Sequence, residues 1–133
     1  MLSIRAQIEA IALRRMQDAE EIARVSIIRV ANRIITDSPV DKGSFINHWN
    51  TSISTISYDQ SRGENNGGAE SISQLTETVE SLNLGAKAYF NNPMPYGPRL
   101  EYDGWSEKAP NGMVRINTAL WSDIVEEEIA RRR

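Results

Sequence analysis

The chain has 133 residues, of which 40% are hydrophobic and 25% charged, a balance that suits one globular domain with a single core. It contains no run of about 20 apolar residues and no apolar secretory leader, so we expect neither a membrane span nor export. A formal net charge of −3 argues against a dedicated nucleic-acid binder, which needs cations to neutralise phosphates. The absence of cysteine excludes disulfides, thiolate metal sites and thiol catalysis.

The first 36 residues are predicted to form one long helix. Apolar residues recur there mainly at steps of three and four, and neither glycine nor proline interrupts them: Ile4, Ile8, Ile11, Met16, Ala19, Ala23, Ile27, Val30 and Ile34. The apolar stripe spans roughly 32 residues, from Ile4 to Ile35, and a continuous helix over it extends about 48 Å at 1.5 Å per residue, more than the width of a domain this small. We therefore expect part of the stripe to meet another chain.

A tight loop is expected after this helix. Ser38 precedes Pro39, and a residue before proline avoids helical dihedral angles, so the helix should end near residue 36. The loop consists of Pro39, Val40, Asp41, Lys42, Gly43 and Ser44. We expect Asp41 to accept hydrogen bonds from the loop's own backbone and Gly43 to adopt a positive φ.

The central part alternates predicted strands with loops. β-branched and aromatic residues indicate a strand over 49–58, after a helical turn that starts at Phe45. The glycine-, serine- and asparagine-rich segment 59–69 has little to bury and is predicted to be mobile. A short helix over 71–82 follows, with Ser71 or Ser73 as its N-cap and Gly85 as its left-handed C-cap.

A second strand is predicted over 86–90, before a turn that contains Pro93, Pro95 and Pro98. Residues 99–102 are expected to rejoin the sheet, and apolar spacing predicts a C-terminal helix over 113–133. The predicted fold is thus α+β, one domain over 1–133. A long N-terminal helix (1–36) and a C-terminal helix pack on a small antiparallel sheet within 37–112, which also holds the short helix and the mobile inter-strand loop.

Several short motifs, taken in order, resemble the neck and tail-completion proteins of tailed bacteriophages, the minor tail components of the lambdoid siphovirus type. The motifs are Pro39-Val40-Asp41-Lys42-Gly43 after a long helix, Tyr89-Phe90-Asn91, Pro95-Tyr96-Gly97, Leu100-Glu101 followed by Gly104, and Met113-Val114-Arg115. One extra residue separates Glu101 from its glycine, so the turn there can differ from the family pattern. Segment 59–85 has no counterpart.

The resemblance implies a non-enzymatic structural virion protein, made in the host cytoplasm, without cofactor or metal. It implies a homo-oligomeric ring, expected to be a hexamer, that joins the head connector to the tail tube or terminator proteins. Genome DNA would pass through its channel without specific binding, and the acidic balance of the chain suits such a passage. The candidate interface residues are Ile8, Ile11, Tyr96, Leu100, Glu101, Tyr102 and Trp105, whereas Trp49 and Trp121 are expected in the core.

Two other functions are alternatives to this one. In the first, the N-terminal stripe forms a coiled coil and the arginines at 131–133 contact phosphates. However, Glu127 and Glu128 stand four residues before Arg131 and Arg132, the spacing of helical ion pairs. In the second, Ser44, His48 and Asp41 form a hydrolase triad, or His48 binds a metal with nearby acids, but the sequence has no nucleophile elbow and only one histidine.

Overall fold

The computed structural model describes residues 3–133. Five α-helices and two strands follow each other as α1 (Ile4–Asp37), β1 (Asn50–Ile53), α2 (Ala69–Glu80), β2 (Ala88–Asn91), α3 (Gly97–Tyr102), α4 (Val114–Thr118) and α5 (Trp121–Arg131), with a 3-10 turn at Ile46–His48 before β1. Helices α1 and α5 accompany a two-stranded antiparallel sheet, so the predicted α+β architecture is confirmed.

Helix α1 begins and ends where its sequence provides polar side chains. Ser3 caps the N-terminus, because its Oγ accepts a hydrogen bond from the amide of Ala6 at 3.1 Å. At the other end, the buried Oγ of Ser38 donates to the carbonyl oxygen of Ile34 and accepts from Nε1 of Trp49, both at 2.8 Å. The predicted stop before Pro39 is therefore confirmed within one residue, and Ser38 also fixes a core tryptophan.

The sheet is shorter than the sequence suggested. Asn50 lies opposite Asn91 and Ile53 opposite Ala88, and β1 ends there because Ser54 turns the chain with a φ of 73°. On the far side of β1, Oε1 of Gln74 in α2 accepts the Thr51 amide at 2.9 Å. Helix α2 thus closes the strand edge that β2 leaves open.

The core lies between α1, α2 and the sheet. Trp49 is at its centre, stacked on Phe90 at 4.9 Å and met edge-on by Phe45 at 5.6 Å. Its other buried members include Val30, Ile34, Ile35, Ile46, Leu75, Val79, Met113 and Ile124. Trp49 is a core residue as predicted, but the core assignment of Trp121 is wrong, since that side chain is 41% exposed.

Of the predicted elements after the sheet, one is wrong and the C-terminal helix is present but divided. Residues 99–102 do not rejoin the sheet but belong to α3, where Pro98 occupies the first turn that suits proline. The predicted helix 113–133 is two helices, interrupted at Ala119 and Leu120. At the break the amide of Leu120 donates to the carbonyl oxygen of Asn117 at 3.1 Å, three residues back, and the buried Asn117 side chain bonds Asp37 and the Met113 carbonyl oxygen and so holds α4 against the end of α1.

The caps of α2 also differ from those predicted. The helix starts at Ala69, after Gly68 with a φ of 67°, and Oδ1 of Asn65 accepts the amides of Gly67 and Ala69. Ser71 is instead a buried link, because its Oγ accepts the Trp49 amide at 2.9 Å. Gly85 does have a positive φ, of 89°, but it lies beyond the end of α2 and does not cap it.

Candidate functional site

The N-terminal part of α1, residues 4–19, projects from the folded body as an arm. Of these residues only Ala6 and Asp18 are partly buried, and the others are exposed. Its apolar side chains stand in solvent: Ile4 is 77% exposed, Ile8 60% and Ile11 56%, and Leu13 and Met16 are similar. The arm is about 24 Å long at 1.5 Å per residue, so this chain leaves a substantial apolar ridge uncovered.

Contacts with the folded body hold α1 from Glu20 onwards. Oε2 of Glu20 accepts the amide of Leu84 at 3.0 Å, and Nε of Arg24 donates to the carbonyl oxygen of Leu82 at 2.7 Å. Glu21 lies 3.8 Å from Arg132 at the end of α5. The predicted excess of α1 over its own domain is therefore confirmed as the arm.

The apolar residues of α1 do not lie on one face of the helix, so the prediction of a single apolar stripe is wrong. Ile4, Ile8 and Ile11 share a side, but the five-residue step from Ile11 to Met16 turns the stripe by about 140° at 100° per residue. Ile27 and Ile34 then continue on the side of Met16 and enter the core region. The ridge of Ile4, Ile8 and Ile11 is consequently a separate surface.

The loop after α1 is shaped by Gly43, as predicted. Its φ is 87°, and its carbonyl oxygen accepts the amide of Asn65 at 3.0 Å. A Cβ at this position would lie 2.5 Å from the Asn65 carbonyl carbon. Glycine is therefore required for two reasons: its positive φ disfavours other residues, and the backbone of segment 59–69 leaves no space for a side chain.

The role predicted for Asp41 is wrong. Asp41 is exposed, and its carboxylate accepts no hydrogen bond within residues 3–133. Pro39, Val40 and Asp41 instead line the outside of the loop, where Pro39 and Asp41 border a cleft of about 400 Å³ with Phe45 and Leu100.

Segment 59–69 is held by Arg62, which sequence reasoning missed. One guanidinium nitrogen donates to the carbonyl oxygens of Asn47 at 3.0 Å and Trp49 at 2.8 Å, and the other bonds Oε1 of Gln74. Nδ2 of Asn47 also donates to the carbonyl oxygen of Gly63. The composition predicted a mobile loop, but these bonds give the segment a defined path across the 3-10 turn and the start of β1.

Glu101, assigned from the sequence to the interface, lies inside the chain. It is 7% exposed, and its carboxylate accepts the amides of Met113 and Val114 at 2.8 Å and of Arg115 at 3.2 Å. Burial opposes its ionisation, but the hydrogen bonds from Arg115 and these amides outweigh burial and lower the pKa of Glu101. Two separated motifs, Leu100-Glu101 and Met113-Val114-Arg115, thus contact each other directly.

The interface assignment of Leu100 is also wrong, since this side chain is 9% exposed and belongs to the core. The remaining residues of this candidate interface are accessible. Tyr102 is 66% exposed beneath the guanidinium of Arg115 at 4.7 Å, and Trp105 is 57% exposed beneath that of Arg99 at 4.5 Å. Tyr96 is half-buried and packs against Phe45.

The hydrolase arrangement is not assembled. His48 is 2% exposed, and its Nδ1 contacts the carbonyl oxygen of Ser44 at 2.6 Å, not the hydroxyl group that would be the nucleophile. Asp41 does not bond His48. Within residues 3–133 no group of three histidine or acidic side chains could hold a metal ion.

Two of the three C-terminal arginines, Arg131 and Arg132, form ion pairs inside the chain. Glu128 is 2% exposed and pairs with Arg29 at 2.7 Å, Arg131 at 3.2 Å and Arg132 at 3.3 Å. The predicted pair of Glu128 with Arg132 is therefore confirmed, whereas Glu127 pairs with Arg29 and not with Arg131. Burial raises the pKa of Glu128, but its bonds to Arg132 and Arg29 lower it by more.

The chain matches no protein-family model, and no curated protein and no solved structure matches it significantly. In the part of the chain that the structure describes, no helix is both long enough and apolar enough to cross a membrane.

Proposed function

We propose that this chain is a structural virion protein of a tailed bacteriophage, which forms a ring that completes the tail and joins it to the head connector. The ordered motifs that resemble neck and tail-completion proteins supply the class of protein. Their assignment is supported by the contact between Glu101 and residues 113–115, which gives two of these motifs a common structural purpose.

The observation that carries the proposal is the exposed arm. The isoleucines of the arm are 56–77% exposed, which is unfavourable in an isolated chain because their apolar surface remains in water. Contiguous apolar surface of this kind marks contact with other molecules. A subunit that must hold its neighbours while DNA passes through the centre needs such a contact and no catalytic group. The proposed function is therefore structural and non-enzymatic, and it requires no cofactor.

Ring closure sets a further requirement. In a head-to-tail ring every copy uses the same two complementary patches, and the rotation between copies must return to the start. The ring, expected to be a hexamer, would contact the head connector or adaptor on one side and tail tube or terminator proteins on the other. The net charge of −3 would keep DNA from adhering in the channel.

A double substitution in the arm tests this function. Ile8→Asp with Ile11→Asp should leave the far-ultraviolet circular dichroism helical, because both side chains lie outside the core. Phage carrying the variant should yield heads and tails that fail to join. The matched control is Ala10→Asp with Gln17→Asp, which adds the same charge on the opposite side of the arm. Normal growth of the Ile8 and Ile11 variant, or equal failure of the control, would contradict the proposal.

The alternative of a helical or nucleic-acid-associated module has weaker support. Arg131 and Arg132 already pair with Glu128, so fewer free cations remain for phosphates than the sequence suggests. Salt-sensitive binding of the purified chain to DNA would favour this alternative.

A further inference from the structure

The folded body carries an apolar groove of about 240 Å³ between α1, β2, α4 and α5, whose floor is formed by the buried Val30, Ala31 and Ile34 and whose rim is accessible. The residues that line it are Ile27, Val30, Ala31, Ile34, Phe90, Val114, Thr118 and Trp121. Trp121 at its rim is 41% exposed. The groove is smaller than the roughly 300–1,000 Å³ of sites for small molecules, and its lining offers side-chain methyl groups and rings instead of convergent polar groups.

The arm cannot fill this groove in its own chain. Helix α1 forms one wall of the groove, and Ile8 precedes Ile27 by 19 residues, or about 28 Å along the same helix. No glycine or proline lies within α1 to bend the arm back. An apolar ridge and an apolar groove therefore coexist on one molecule and can be covered together only between molecules.

Charge favours the same pairing. The arm carries Arg5, Arg14 and Arg15 against Glu9 and Asp18, a net charge of +1. Helix α5, which borders the groove at Trp121, carries Asp123, Glu126, Glu127 and Glu128 before its first arginine. Arg14 and Arg15 on the arm, and Asp123 and Glu126 on α5, make no ion pair within residues 3–133. The arm, with a net charge of +1, and α5, whose four acids outnumber its arginine, thus carry opposite net charges that favour their approach, while the groove itself is lined by apolar side chains and Thr118.

We infer that the groove is the receptor for the arm of a second copy of this chain, with Ile8 and Ile11 seated beside Val114, Thr118 and Trp121. The contact is heterologous, because ridge and groove are different surfaces, so it can repeat from copy to copy until a ring closes. This inference rests on the self-assembly in the proposed function and names the surface that receives the arm.

Disulfide trapping tests the contact directly, because the chain has no cysteine of its own. An Ile8→Cys chain mixed with a Thr118→Cys chain should give one cross-linked dimer under mild oxidation, and a chain with both substitutions should give a ladder of oligomers. The matched control replaces Ile8→Cys with Gln17→Cys on the other side of the arm, and its yield should be at least tenfold lower. Cross-linking of Ile8→Cys with itself would show paired arms and overturn the inference, as would the absence of any cross-link.

A mixing experiment provides a second readout. Ile8→Asp with Ile11→Asp disables the arm, and Thr118→Trp fills the groove from an exposed position. Each variant alone should associate at least tenfold more weakly than the native chain in sedimentation velocity. When the two variants are mixed one to one, dimers should form, because the native arm of the Thr118→Trp variant can enter the native groove of the Ile8→Asp, Ile11→Asp variant. No larger species should form, because the other arm and the other groove of each dimer are disabled. Self-association of the Thr118→Trp variant at native strength would overturn the inference.

These outcomes separate the inference from the proposed function. If Ile8 and Thr118 cross-link but phage particles do not contain the protein, the arm–groove contact is supported and the proposed virion function is refuted. If phage particles contain a ring of this protein but the cross-link does not form, the virion function is supported and the arm–groove contact is refuted.

Discussion

Replacing Glu101 with glutamine is expected to destabilise the fold, although the two side chains have nearly the same shape. Oε1 of Glu101 accepts the amides of Met113 and Val114, while Oε2 accepts the amide of Arg115 at 3.2 Å and its Nε at 2.8 Å. A glutamine can keep the first pair through its carbonyl oxygen. Its NH2 group would then face two donors of Arg115, so both bonds on that side are lost.

The magnitude follows from those two bonds and from the loss of charge. Hydrogen bonds to charged groups contribute roughly 1.5–3 kcal/mol each, and a broken buried pair costs about 3–5 kcal/mol. Arg115 is 51% exposed and can turn to water, which reduces the cost. We expect Glu101→Gln to lower the free energy of unfolding by about 2–4 kcal/mol, equivalent to roughly 6–16 °C in Tm for a chain of this size.

Thermal and urea unfolding of Glu101→Gln, with the exposed Glu107→Gln as control, measure the effect. The pH dependence provides a check. The pKa of Glu101 is lowered in the folded state, so its contribution to stability is present above the unfolded pKa and is lost as pH falls through the folded one. The difference between native and Glu101→Gln proteins should therefore shrink below about pH 4. Native stability of the variant at pH 7, or a difference that grows in acid, would refute the assigned role.

Two further substitutions test segment 59–69. Gly43→Val should cost about 2–5 kcal/mol, since it strains the positive φ and forces side-chain atoms onto the Asn65 backbone, whereas Gly63→Val, with open space around its Cβ position, should cost little in the same thermal melts. Equal melting of the two variants would contradict the assigned packing. Arg62→Ala should release the segment from Asn47 and Trp49, so that a glutamate-specific protease cleaves at Glu64 several-fold faster than in the native chain. Unchanged cleavage would mean that Arg62 does not restrain it.

Local sequence signals predicted the features whose causes are local. The extent of α1 follows from an uninterrupted helical pattern and the Ser38-Pro39 stop, and the positive φ of Gly43 follows from the turn that it occupies. The strands were located, but their length was overestimated, because the turn at Ser54 depends on a backbone conformation that its side chain does not signal. The excess of apolar surface on the N-terminal helix was also readable from its length alone.

Features that depend on distant partners escaped prediction. Glu101 resembled an exposed acid in a turn because its donors are 12–14 residues away, at a helix start that the sequence placed correctly but could not connect to it. Arg62 sat in a segment whose composition indicates mobility, and its acceptors are backbone oxygens, which no sequence pattern marks. Gly112 lies against the Glu101 carboxylate: its φ is 87°, and a Cβ there would collide with Oε2 of Glu101, a proximity that only the structure reveals.

Electron cryo-microscopy of phage particles assembled with a tagged copy of this chain tests the central claim most directly. Our account predicts a closed ring of copies at the junction of head and tail, in which the N-terminal arm of each subunit lies on its neighbour and the axial channel stays open. Particles that lack the chain, or that carry it as separate subunits whose arms extend into solvent, would contradict the account.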